Sequence, residues 1–151
     1  MKYDSKHDTI EHMLTVAKYI STIITMLSVR IKRHDKSKLE SPEKEIFDIY
    51  TPKLKNTTYG SSEYKKNLKE MKVALDHHYS DTDNTHHPEH FKNGIRDMNL
   101  VDLIEMLCDW KAATLRHADG DILKSIEVNQ KRFKYSNDIK QILINTVKGY
   151  F

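Results

Sequence analysis

Between Ile10 and Ile31 the residues Ile10, Met13, Leu14, Ala17, Ile20, Ile24, Leu27 and Ile31 recur every three or four positions. Only an α-helix, at 3.6 residues per turn, gathers such a set on one side. The spacing predicts a long amphipathic helix over residues 9–32, with Asp8 as its N-cap and Glu11 as the capping partner. The same period returns in Tyr64, Leu68, Met71, Leu75 and His78, which step by four, three, four and three over a helix at 63–79. It returns again in Leu100, Leu103, Ile104, Leu107 and Trp110 for a helix from about Met98 to Ala118. Almost nothing alternates with period two. The expected class is therefore all-α: one helical bundle of five to seven helices over residues 1–151.

Composition agrees with that class. A chain of 151 residues is one domain with room for a single core. It is 38% hydrophobic and 31% charged, as suits helices that each keep one face in water. Four glycines and three prolines leave few turns for a many-stranded sheet. The net charge of +3 is spread among acids, so no nucleic-acid partner is indicated. Cys108 is the only cysteine, which excludes an internal disulfide and a thiolate zinc cluster. No uninterrupted apolar run approaches the roughly 18 residues of a membrane span, and the start of the chain lacks a signal-peptide core. The expectation is a cytoplasmic protein, in a host cell if phage-encoded, with no membrane partner.

Smaller signals place the remaining helices. Ser41-Pro42-Glu43 reads as an N-cap with proline at the first helical position, opening a short helix through Ile46, Phe47, Ile49 and Tyr50 that Pro52 limits. Residues 55–62 form a loop whose Ser61 or Ser62 caps the next helix. Asp119 or Asp121 caps a helix carrying Ile122, Leu123, Ile126 and Val128, and Ser136 caps a last one through Ile139, Ile142, Leu143 and Val147.

Five of the nine histidines fall in the fourteen residues from His77 to His90. Neutral imidazole is the commonest metal ligand, and carboxylates often complete its set. His78 ends an inward-facing stripe, while His77 is rotated about 100° from it; either could be the ligand. Pro88 holds His87 extended, so His86 and His87 sit on irregular backbone. Upstream, His34 and Asp35 follow the first long helix, and a carboxylate can bridge two ions where an imidazole cannot. His12 lies on the flank of the first apolar stripe. On the later helix Asp102, Glu105, Asp109 and Arg116 share a side, either as a solvated strip or with Asp109 pointing into a site beside the small Ala112 and Ala113. The plain alternative throughout is a polar loop with scattered histidines.

In chain order the candidates are His12, His34-Asp35, His78, His86-His87 and Asp109. This H…HD…H…HH…D order resembles the HD-domain superfamily of metal-dependent phosphohydrolases, most closely its two-metal branch that includes the HD-GYP cyclic-dinucleotide phosphodiesterases. His34-Asp35-Lys36-Ser37-Lys38 is similar to the HDxxK form of the motif, and His86-His87-Pro88-Glu89 to its His-His-Glu segment. The stretches from Leu75 to Tyr79, Asn84 to His90 and Asp102 to Trp110 are also similar to those of an uncharacterised phage-associated family of small proteins. The HD resemblance implies metal ligation by His12, His34, Asp35, His78, His86, His87 and Asp109. It implies one or two divalent transition metals (Mn, Fe or Zn, with Co and Mg also compatible). It implies phosphate contact by Lys38. Arg116 and His117 could bind a second phosphate or the leaving group. The chain departs from the pattern in lacking a GYP segment and in the short spacing from His78 to His86.

Three functions fit these residues. The first is hydrolysis of a phosphoester or phosphoanhydride in a nucleotide or nucleotide-derived signal, with Asp35 and Lys38 central to catalysis. The second is an HD-type di-iron oxygenase, since the same N/O ligands suit iron. The third is a non-catalytic phage protein that binds a host nucleotide or host protein.

Overall fold

The computed structural model of the chain describes residues 3–55, 57–58, 60–116 and 120–151. Seven α-helices and no strand are found among them: α1 (Lys6–Arg33), α2 (Glu43–Lys55), α3 (Ser62–Glu70), α4 (Lys72–Ser80), α5 (Leu100–Thr114), α6 (Ile122–Phe133) and α7 (Asn137–Tyr150). Short 3-10 turns at Lys36–Leu39, Pro88–His90 and Gly94–Asp97 connect them. The all-α class expected from the stripes is what the chain adopts.

The core is built by α5, α6 and α7. Met106, Leu107, Ile126, Leu143 and Val147 are buried together, with Tyr135 closing the end of α6. The Tyr135 hydroxyl donates to the Ile126 carbonyl at 2.6 Å, which removes the cost of burying it. Met106 and Ile126 are both fully buried, and each such side chain stabilises the fold by about 1.5–3 kcal/mol. A second layer packs α2 against α3, α4 and the turn after α1.

Caps set most helix starts. Ser61, Asp121 and Ser136 each accept from backbone N–H groups of α3, α6 and α7. Asn99 and Asp102 form a capping box on α5, which starts that helix at Leu100 rather than Met98. Asp119 lies outside the described residues. The expected Asp8 cap is not used: α1 starts three residues earlier, with Ser5 at the N-cap and Asp8 inside the first turn. Pro42 stands before α2 instead of opening it, and Pro52 is accommodated in the last turn of α2, where only three residues follow it. The single helix expected over 63–79 is interrupted at Met71, although the Met71 N–H still reaches the Asn67 carbonyl. The inward-facing stripe continues across that interruption: Tyr64, Leu68 and Leu75 are half-buried, and Met71 and His78 are each 1% exposed.

α1 differs from the rest. None of its residues is buried, and only Leu27 and Arg30, near its C-terminal end, are half-buried. It packs on α5 there. The expectation that no stretch is long and apolar enough for a membrane span is corrected here. Averaged over 18 residues, threonines and serines scattered among isoleucines do not lower the hydropathy of α1 enough, and the helix passes by length and composition.

Candidate metal centre

The site forms where the C-terminal end of α1, the turn after it, the start of α2, the end of α4, the histidine loop and the face of α5 meet. It begins with Asp35. Its backbone is left-handed, at φ 56°, directly after His34, the C-cap of α1. That region is unusual outside glycine, though aspartate tolerates it better than most. The turn sends the Asp35 carboxylate inward beside His78 and His86.

His78 is held from behind by Glu43. The Glu43 side chain is fully buried at the first residue of α2. A carboxylate only accepts, so its donors are the His78 Nδ1–H at 2.9 Å, the His77 Nδ1–H at 2.7 Å and the Ser37 hydroxyl at 3.0 Å. Asn84, also buried, donates to Ser37 Oγ and to the His78 carbonyl. With Nδ1–H committed to Glu43, the lone pair of His78 is on Nε2. That nitrogen faces His87 Nε2 at 2.9 Å and Asp35 Oδ1 at 3.2 Å. His34 repeats the pattern: Nδ1 donates to Glu105 Oε1 at 3.0 Å, and Nε2 faces Asp35 Oδ2 at 3.7 Å and Asp109 Oδ1 at 3.8 Å. A carboxylate behind a histidine, with the other ring nitrogen turned inward, is the usual support of a metal-ligating imidazole.

Three donor groups result. Asp35, His78, His86 and His87 each offer an atom within 4.8 Å of the others, as do His34, His86 and Glu105, and also His34, Asp35 and Asp109. Asp35, His34 and His86 each belong to two groups. Asp35 Oδ1 and both ring nitrogens of His86 are buried without a well-formed hydrogen bond. Such atoms are costly to leave unpartnered; a cation between Asp35 Oδ1 and His86 Nε2, which stand 3.6 Å apart, satisfies two of them, and His86 Nδ1 faces the Glu105 carboxylate at 3.3 Å. The donor set is imidazole and carboxylate with no thiolate, which fits Mn²⁺, Fe²⁺ or Zn²⁺.

The electrostatics point the same way. Burial works to raise the Asp35 carboxyl, but the His78 and His86 rings and the Lys38 ammonium outweigh it and hold Asp35 well below the usual carboxylate range. Burial, with His86 and His78 adding to it, pushes His87 down to about 2, which keeps that ring neutral and its lone pair free. Glu105 raises His34 above its ordinary value against the opposing effect of burial.

The expected residues are placed unevenly. His34, Asp35, His78, His86, His87 and Asp109 converge. Between the two adjacent candidates, His78 is the inward one, and His77 leaves nearly half its side chain in water. Lys38 lies at the centre, with Nζ 2.6 Å from Asp35 Oδ2 and 5.3 Å above the Phe47 ring. His12 does not converge: α1 is one continuous helix, which carries it about 33 Å from His34 along the axis. Arg116 is in the exposed turn after α5, and no described contact ties it to the centre. His117 lies outside the described residues.

The chain belongs to DUF5662. That family is described as one of unknown function, and the match covers residues 1–149. No curated protein and no solved structure matches the chain.

Glu43, Glu105, Asn84 and Arg30 are the members of the centre that the sequence did not single out. Asp102 and Glu105, read as a solvated strip, are 1% and 8% exposed. Arg30 explains their burial: it donates to Asp102 at 2.7 Å and Glu105 at 3.2 Å, and contacts Thr85. The one available signal was spacing, since Asp102, Glu105 and Asp109 stand at i, i+3 and i+7 on one helix face.

Proposed function

We propose that this chain is a metal-dependent phosphohydrolase acting on a nucleotide or a nucleotide-derived signal. The observation that carries the reading is Asp35: a half-buried, ionised carboxylate in a left-handed turn, shared by two donor groups, with its buried Oδ1 lacking a hydrogen bond. Histidines and carboxylates that overlap in this way suit two neighbouring divalent ions better than one. Asp35, His78, His86 and His87 would hold one, and His34, Asp35 and Asp109 the other. A divalent ion in such a site supplies Lewis acidity toward a phosphoryl oxygen and lowers the pKa of bound water from 15.7 to about 7.

The chain's own groups do the rest. Glu43 and Glu105 fix the tautomers of His78 and His34, so that lone pairs rather than N–H groups point inward. Lys38, about a quarter exposed, brings a positive charge to the solvent edge of the centre, where a phosphate enters. Bound cations at Asp35 would compete with its contact to Lys38 and would leave the ammonium available for phosphate charge. Arg33 and Lys36 add positive charge nearby.

The test uses tag-free protein purified without chelator. Metal content is measured first, then turnover of a broad panel of nucleotides and phosphodiesters with Mn²⁺, Fe²⁺, Co²⁺ or Mg²⁺. The expected result is at least one equivalent of metal and metal-dependent release of phosphate or of a nucleoside monophosphate. Metal-replete protein inert to the whole panel overturns the hydrolase reading. An iron absorption band in that inert protein would move the assignment to the oxygenase.

A further inference from the structure

We infer that α1 is a dimerisation helix that pairs with α1 of a second copy of this chain. The helix leaves eleven large apolar side chains exposed, among them Met13 at 63%, Tyr19 at 66%, Ile20 at 55% and Ile24 at 57%. At on the order of 100 Å² each, they leave about 1,000 Å² in water, against roughly 300–600 Å² for the largest patch of an ordinary monomer and about 800 Å² per partner in a standard interface.

The pattern selects the occupant. From Ile10 the seam advances in steps of three, four, three, four, three and four to Ile31, three heptads with no charge on them. Val16, Tyr19, Ile23 and Met26 widen it on one side. The opposite face carries Glu11, Thr15, Lys18, Thr22, Thr25 and Lys32. A helix with one polar face is made to lie on protein rather than to be surrounded by lipid, and Lys18 at mid-helix would be costly in a bilayer centre. Pattern and area together select a second copy: a seam of three uncharged heptads pairs with a helix of the same kind, and a two-fold axis that sets one seam on the other covers both at once and closes the assembly.

The experiment is mass by light scattering after size exclusion, at tens of micromolar without detergent. The wild type is expected at twice the chain mass of 17.8 kDa. Ile20→Glu with Ile24→Glu should halve that mass while leaving circular dichroism and metal content unchanged, since both side chains are more than half exposed and far from the centre. A monomeric wild type, a dimer indifferent to the glutamates, or wild type that floats with phosphatidylcholine–phosphatidylglycerol vesicles in place of dimerising would each overturn the inference.

Discussion

The two ends of α1 invert the ordinary distribution of residues in opposite senses. Along most of its length isoleucines and methionines stand in water. At its C-terminal end Arg30, His34 and Asp35 enter a centre where Glu43, His78, His86, Asn84 and Asp102 are all at or below 1% exposure. Exposed apolar residues taken singly need no explanation, but a continuous stripe does, and so does a buried cluster of ionisable groups. In the stripe, water is in contact with surface that gains from being covered. In the centre, donors and carboxylates have left water without fully satisfying one another. One region lacks an apolar partner and the other lacks a cation, and each deficiency names the chemistry that removes it.

The sharpest break in this comparison is Asp35→Asn. It keeps the side-chain shape and tolerates the left-handed backbone, so it isolates the charge. Most of one equivalent of metal should be lost, and turnover should fall by more than about 10³. Metal content measured by mass spectrometry at the wild-type level would sink the assignment.

Lys38→Ala should separate binding from rate. Metal content stays intact while kcat falls about 10²–10³, the usual loss for one electrostatic donor. An equal loss of metal would instead make Lys38 structural.

Glu43→Gln should lower metal affinity about 10–100-fold in a competition titration, because the tautomer and orientation of His78 are no longer enforced. His77→Ala, on the exposed side of the same carboxylate, should do much less. Equal effects would mean that Glu43 merely needs partners.

Removal of metal should expose a pH dependence. In the folded chain His87 is pushed down to about 2, whereas unfolded it titrates near 6.5. Between these values the unfolded state binds more protons, so stability rises with pH and is lost as pH falls below 6.5. The raised His34 contributes with the opposite sign, but its stabilisation is already complete below 6.5 and does not mask the loss. Urea unfolding of chelator-treated protein should show about 1–2 kcal/mol less stability at pH 5 than at 6.5. A flat profile would place His87 in a more solvated setting.

The smallest effect belongs to His12. Its substitution by alanine should leave metal content and rate within about two-fold, because one continuous helix holds it far from His34. A large loss would mean that α1 of another copy delivers His12 to the centre.

The helices were legible because their causes are local. Stripes at three and four residues, and caps such as Ser61, Asp121 and Ser136, lie within a few positions of the elements they define. The HD pair, the two later histidines and Asp109 were legible as chemistry, since few other roles gather imidazoles beside carboxylates. Packing alone decided the rest. Periodicity puts Asp102, Glu105 and Asp109 on one face of α5 but cannot say whether that face meets water or imidazoles; Arg30, 72 residues before Asp102, settles it. Rotation by one position separates His77 from His78; both reach Glu43, and only the packing of α4 against α2 determines that His78 is the ring turned inward. The seam of α1 was plain in the sequence as an apolar face. That nothing in its own chain covers most of it is a tertiary fact, because a hydrophobic stripe encodes a need for burial and not the surface that meets it.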